Sequence, residues 1–267
     1  MPYENILLEK ADGVATLTLN RPSSLNSLNK GLIDDIRNAL RTMRNDDAVR
    51  ALIVTGGGRG FCAGADLANA GFNDGIARSP GEGVAHSMEI AYNPLVRDLA
   101  GFPKPVIMAV NGVAAGGGVG LALSGDIVLA ARSAYFVQVF GPKLGLVPDM
   151  GCTWFTPHLL GRARARALAM LGDRLPAEKA ADWGLIWAAV DDAQLLTEAR
   201  AIAQRLAQGP TTAFGEIKRA LDAAPGNTLD EQLELERKTQ HKLGDMSDFR
   251  EGVTAFLTKR EPQFKGK

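Results

Sequence analysis

The sequence predicts an α/β fold with a helical C-terminal region. Three observations carry this. Apolar strand patterns alternate with helical ones through the first two thirds of the chain. Two strands run directly into glycine-rich turns, at residues 60–67 and 111–118. From Pro176 onward the pattern is almost entirely helical. Alternation of this kind builds parallel sheets covered by helices. A strand-rich core over residues 1–190 and a helical region over residues 191–267 are expected to form one unit with an appendage.

The elements follow in order. Residues 14–20 read VATLTLN, the alternation of a half-buried strand, which Arg21-Pro22 ends. Leu32, Ile36, Ala39, Leu40 and Met43 recur at helical spacing. Residues 51–55 form a short apolar strand stopped by Gly56-Gly57-Gly58. Residues 72–83, rich in Gly, Asp, Asn and Pro, read as an exposed loop. Val84, Met88, Ala91, Leu95 and Leu99 mark the next helix. Residues 106–110 are a buried strand, residues 111–118 a glycine-rich turn, residues 118–124 a short helix and residues 127–131 a further strand. In the last third, Thr228 and Glu231 have capping-box spacing, and Ser247 is placed as the N-cap of the final helix.

Composition excludes several classes. The chain has 267 residues, 46% hydrophobic, so it can bury a large core and is not disordered. Thirty basic residues balance thirty acidic ones, which argues against a general nucleic-acid binder. The richest apolar stretch, residues 105–131, is broken by Asn111, Asp126 and glycines, so no membrane span is expected. Residues 1–10 lack a basic start and an apolar segment, so no signal peptide is expected. Cys62 and Cys152 belong to no CxxC pair, and His86, His158 and His241 lack metal-ligand spacing. A reducing, cytoplasmic setting without a metal site is the expectation.

The glycine-rich turns carry the candidate chemistry. Small residues let backbone approach a ligand closely, and a helix start offers unpaired N–H groups. Two such turns side by side can aim two N–H groups at one oxygen, forming an oxyanion hole. A tight structural connection is the plainer account of either turn alone. A phosphate-binding P-loop needs a Lys-Ser/Thr pair that neither turn has. A dinucleotide fingerprint needs G-x-G-x-x-G, but Gly116-Gly117-Gly118 is followed by Val119, Gly120 and Leu121, so the last glycine is misplaced.

Taken together, these segments resemble the enoyl-CoA hydratase/isomerase (crotonase) family. The matching residues are Leu19-Asn20-Arg21-Pro22, Leu25-Asn26-Ser27-Leu28, residues 60–67, Lys104-Pro105-Val106, Asn111-Gly112, Gly116-Gly117-Gly118 and Gly125-Asp126-Ile127. The resemblance implies a crotonase-like spiral of ββα turns with a helical trimerisation region. It implies homotrimers or hexamers, an acyl-CoA substrate, and no cofactor, since CoA is part of the substrate. It implies that the N–H groups of Ala65 and Gly117 hold the thioester oxygen. Asn26, Ala63, Gly64, Ala65, Asp66 and Leu67 are expected to line the CoA, with Phe256 and Lys259 approaching it from the same or a neighbouring subunit.

The acids around the hole then select the reaction. Hydratases of the family use two glutamates, which fall here at Gly120 and in the region of Phe140-Gly141, beside one apparent extra residue. Water addition needs one group for the water and one for the α-proton, so efficient hydration is not expected. Asp149, after Pro148, is well placed instead. A lone carboxylate facing an apolar pocket should have a raised pKa and can shuttle one proton between two carbons. The plainer account of Asp149 is a turn or N-cap aspartate. Asp66 and Asp126 read as structural, and Glu89 and Asp98 as a solvated helix face. Residues 92–97, 143–154 and 250–264 further resemble the family branch that isomerises ring epoxides of phenylacetyl-CoA and shifts double bonds in 3-enoyl-CoA. Two alternatives are a hydratase with an unrecognised acid, and a non-catalytic CoA-thioester or RNA-binding protein on the same fold.

Overall fold

The computed structural model describes residues 3–68, 72 and 75–267. The chain opens with an antiparallel hairpin, β1 (Ile6–Ala11) and β2 (Val14–Leu19), turned by Asp12 and Gly13 at positive φ. Helix α1 (Lys30–Arg44) follows, its first turn capped by the Asn29 side chain on the Leu32 N–H at 2.9 Å. All five residues expected on its apolar stripe are buried.

Then one unit recurs. Strand β3 (Ala51–Gly56) leads to short β4 (Gly60–Cys62) and to helices α2 (Pro80–Ser87) and α3 (Asn93–Ala100). Strand β5 (Val106–Val110) leads to β6 (Val113–Ala115) and α4 (Gly117–Leu123). Strand β7 (Ile127–Ala131) leads to β8 (Tyr135–Val137) and α5 (Cys152–Leu171). Each long strand adds in parallel to the last, with Leu52 facing Val106 and Ile107 facing Ile127. The short strands do the same in a second sheet, with Gly60 facing Val113 and Ala114 facing Phe136. This is a spiral of ββα turns.

After it come β9 (Leu175–Pro176), α6 (Ala177–Asp182) and β10 (Ala188–Val190). The sheets run β1-β2-β3-β5-β7-β10 and β4-β6-β8-β9. Four helices complete the chain: α7 (Leu195–Ala207), α8 (Thr211–Ala223), α9 (Leu229–Gly244) and α10 (Ser247–Thr258). Helix α7 lies on the large sheet and buries Leu195, Ala199, Ala203 and Ala207 against it. Strand β5 is apolar throughout, and β3 from Ala51 to Val54, because both of their faces are covered.

Several sequence expectations need correction. Residues 80–83 are helical, since Ser79 and Glu82 close a capping box that starts α2 earlier than the loop composition suggests. Residues 73 and 74 of that expected loop lie outside the described residues. The turn at 111–118 contains β6, too short to show a period of its own. A strand, β10, interrupts the helical last third by pairing with β7. The expected capping box at Thr228 and Glu231 is present. Ser247, however, is the first helical residue after the cap position Met246, and its hydroxyl donates to the Lys267 carbonyl. The C-terminal tail is thereby folded back on α10, where Asp248 also accepts from the N–H groups of Lys265 and Gly266 at 2.7 and 2.8 Å.

Candidate active site

The loop before α1 builds one wall of the site. Arg21 and Asn26 organise it. Asn26 is fully buried at φ 57°, and its amide donates to the carbonyls of Gly57 and Gly60 while its oxygen accepts from the Arg21 N–H. The Asn26 side chain thus ties the loop before α1 to the turn between β3 and β4. Asp66 is likewise buried and pairs with the Arg21 guanidinium at 2.9 Å. Its carboxylate braces the first glycine turn against the loop before α1.

These struts shape the first glycine turn. The Leu28 N–H donates to the Gly64 carbonyl at 2.7 Å, and the Asp66 N–H donates to the Leu28 carbonyl at 3.0 Å. Residue 65 sits between those two bonds, so its own N–H points to the other side, away from Leu28. Ala63 is half-buried, whereas Ala65 and Leu67 are exposed on that outer side.

The second turn closes against it. Gly64 has φ +91°, and a methyl there would reach 2.7 Å from the Ala115 carbonyl oxygen and 3.2 Å from the Gly117 nitrogen. Glycine is required because a side chain would wedge the two turns apart. Gly116, at φ 52° and ψ −124°, turns the chain from β6 into α4. Gly117 is the first residue of α4 and so has no acceptor inside the helix. Among the described residues, neither the Ala65 nor the Gly117 N–H donates a hydrogen bond.

Asp149 stands beside this pair. A methyl placed on Gly117 would lie 3.6 Å from Asp149 Oδ1. The carboxylate is half-buried, and no cation pairs with it among the described residues. Burial pushes its pKa up to about 6, offset in part by its own backbone N–H. The next residue, Met150, is buried in the left-handed region at φ 52°, followed by Gly151 at φ 78°. A left-handed methionine costs on the order of 1 kcal/mol. The tight turn it makes presses Met150 onto α4 at Gly117 and Gly120.

The structure also brings in Tyr92, which the sequence offers only as the first residue of the matching segment 92–97, with no role at the site. It ends a π-helical turn, residues 88–92, between α2 and α3. Such turns recur at functional sites because they re-aim one side chain. Its ring is buried and packs edge-on against Phe72 at 5.4 Å. Burial first, then the charges of Asp149 and Asp66, push its hydroxyl up to about 12. It is therefore a neutral phenol near the carboxylate.

The other acids stay outside. Asp98 pairs with Arg37 at 2.7 Å, and Glu89 is exposed. Asp126 pairs with Lys218 at 2.8 Å and accepts from the Val106 N–H, at the strand end opposite the glycine turns. Phe256 is 83% exposed on α10, beside Phe249 and Val253, and Lys259 caps that helix at φ 53°. Within one chain they are not gathered with Ala65, Gly117 and Asp149. No group of three or more His, Cys, Asp or Glu side chains among the described residues has metal-binding geometry.

Two glycine turns in a ββα spiral, with paired free amides and a lone acid, match a known family. The enoyl-CoA hydratase/isomerase family model covers residues 9–267. The chain belongs to the enoyl-CoA hydratase/isomerase family. It is 53% identical over 264 residues to 1,2-epoxyphenylacetyl-CoA isomerase of Escherichia coli (strain K12), covering 99% of each chain. It is 43% identical over 267 residues to a probable enoyl-CoA hydratase of Rhodobacter capsulatus, covering 100% of each. The crystal structure of enoyl-CoA hydratase from Bacillus anthracis superposes with a TM-score of 0.90 at 32% identity, over 99% of this chain and 100% of that one. The crotonase-like spiral expected from the sequence is therefore the fold. Family membership supports an enzyme acting on an acyl-CoA thioester.

Proposed function

We propose that this enoyl-CoA hydratase/isomerase family member is an acyl-CoA isomerase with Asp149 as its single proton shuttle. The observation that carries this is the half-buried Asp149 carboxylate beside Gly117, without a paired cation among the described residues, with glycine at residue 120 and phenylalanine at residue 140. The thioester acidifies its α-carbon. Asp149 takes that proton, and the negative charge moves to the thioester oxygen. The Ala65 and Gly117 N–H groups hold the oxygen as it becomes anionic, and each such donor typically lowers the barrier by ~2.7–4 kcal/mol. In a 3-enoyl-CoA the proton returns to the far carbon of the allyl unit, and no atom is gained or lost. The 53% identical relative favours 2-(1,2-epoxy-1,2-dihydrophenyl)acetyl-CoA, converted to an oxepin in phenylacetate catabolism, as the physiological substrate. CoA enters as part of the substrate, the chemistry needs no further cofactor, and we place the reaction in the cytoplasm. No helix among the described residues is long and apolar enough to cross a membrane.

One experiment tests the reading. The protein is incubated separately with crotonyl-CoA, a 3-enoyl-CoA and the ring epoxide, and products are followed by chromatography and mass. Rearranged products of unchanged mass are expected from the last two, with little product from crotonyl-CoA. Dominant products heavier by one water would establish a hydratase, and unchanged substrates a binding protein.

The pH profile is a second test. Asp149 must be ionised to take the proton, so kcat should climb about tenfold per pH unit below pH about 6 and level off above it. A profile flat down to pH 4 would remove Asp149 from the role of base.

We further propose a trimer or a dimer of trimers. Leu229, Leu233, Phe249, Val253, Phe256 and Leu257 are 43–83% exposed on α9 and α10, and exposed apolar side chains grouped in this way suit a protein–protein contact. Assembly brings Phe256 and Lys259 toward a CoA. Light scattering should return a mass of three or six chains. A stable monomer would reject both ideas.

A further inference from the structure

We propose that Cys152 is a positioning residue that ties the proton-shuttling carboxylate to the oxyanion-binding peptide through its own two hydrogen bonds. This rests on the roles of Asp149 and Gly117 proposed above. Cys152 is fully buried as the first residue of α5. Its N–H donates to the Asp149 carbonyl at 2.9 Å, closing the turn that presents the carboxylate. Its thiol donates to the Gly116 carbonyl across 3.9 Å.

That carbonyl and the Gly117 N–H belong to one planar peptide group. Whatever fixes the direction of the carbonyl fixes the direction of the N–H. The peptide needs such a fixture. Gly116 lies outside helical geometry, and a glycine loses its orientation more readily than any other residue. Its carbonyl also accepts from the Val119 N–H at 3.0 Å, and the thiol is the second donor, arriving from a different element. Burial pushes the thiol pKa up to about 12, with the Asp149 charge adding to the shift. The thiol thus keeps the proton that donation requires and is not a nucleophile. One residue links α4 to the turn carrying the base, through a backbone bond at 2.9 Å on one side and a thiol contact at 3.9 Å on the other.

The test compares Cys152→Ala, Cys152→Val and Cys152→Ser with Asp149→Asn. Ala removes the donor and leaves space; Val removes the donor and fills the space; Ser keeps a donor on a shorter arm. Turnover and KM are measured on a 3-enoyl-CoA. The thioester carbonyl stretch of a bound acyl-CoA is followed by difference infrared spectroscopy, which reads polarisation by the two amides. Because a thiol is a weak donor, Ala and Val are expected to lower kcat by about 3- to 10-fold with KM within about twofold. In both, the bound carbonyl stretch should move toward its value in free solution. Ser should fall between them and wild type, and the acid limb of the pH profile should stay put.

A wild-type kcat and carbonyl stretch in either Ala or Val overturns the proposal. Loss in Ala with full activity in Val means packing, not donation. If Asp149→Asn keeps full turnover, it is the underlying reading that fails. If Asp149→Asn is inactive while the Cys152 variants are normal, the role of Cys152 alone is refuted.

Discussion

Asp149→Asn is expected to lower isomerase turnover by about a hundred- to ten-thousand-fold, the usual contribution of a positioned base, while KM for the CoA thioester changes little. The asparagine keeps the size of the side chain and the turn formed by Met150 and Gly151, so the amides of Ala65 and Gly117 stay where they are. What disappears is the only unpaired carboxylate found beside them among the described residues. The same change should stabilise the fold at neutral pH. Burial raises the folded-state pKa to about 6 from 3.8, so the native state holds the proton more tightly than the unfolded chain does. Stability is therefore highest below the unfolded value and falls as pH rises from about 4 to about 6. Above that window the ionised carboxylate costs up to about 3 kcal/mol, less where solvent reaches it. Thermal melts at pH 7 should show the Asn variant above wild type, with the gap closing near pH 4. Wild-type turnover in the Asn variant would exclude Asp149 as the shuttle.

Gly120→Glu is expected to fail twice, as a folded protein and as a hydratase. The substitution places a carboxylate at one of the two positions where family hydratases carry glutamate. Here the space is taken. A Cβ on Gly120 would lie 2.2 Å from the Met150 carbonyl oxygen and 2.5 Å from the Met150 Cβ. Every residue of α4 is buried, so the helix has nowhere to retreat. Overpacking and an unpaired buried charge together should cost about 3 kcal/mol or more. Displacing Met150 also moves its neighbour Asp149, so isomerase activity should fall. Water addition would not appear, because residue 140 is a phenylalanine and offers no second acid. A melting curve and the crotonyl-CoA assay check both halves. A stable variant that gains hydratase turnover would show that one glutamate suffices on this scaffold.

The relation between Gly120 and Met150 shows where the sequence stops being readable. Glycine at residue 120 is visible in the sequence as a missing acid. Its structural reason is not, because Met150 is thirty residues away and its left-handed backbone arises from the turn after Pro148. Tyr92 is a similar case. In the sequence it opens the matching segment 92–97, which carries no sign of its place at the site. Only the folded chain, through the π-helical turn that ends at Tyr92, places its hydroxyl in the fields of Asp149 and Asp66. Asn26 and Asp66 show the same limit: their positions in matching motifs are legible, but the bonds by which each buried side chain braces neighbouring segments are not.

What the sequence determined by itself is local or carried by ordered motifs. The strands β2, β3, β5 and β7, the stripe of α1, the capping box before α9, the two glycine turns and an acid after Pro148 all follow from short-range periodicity and backbone freedom, whereas β1 does not. So does the family, since those segments recur in a fixed order. Tertiary structure alone decided what depends on distant residues meeting. It placed short β6 and β10 in their sheets by pairing with neighbours, because strands of three residues have no periodicity to read. It brought the Gly64 turn against Gly117, set Asp149 beside them without a counter-ion, and placed the Cys152 thiol on the Gly116 carbonyl. Burial and unpaired charge are properties of an environment, and an environment is assembled from the whole chain.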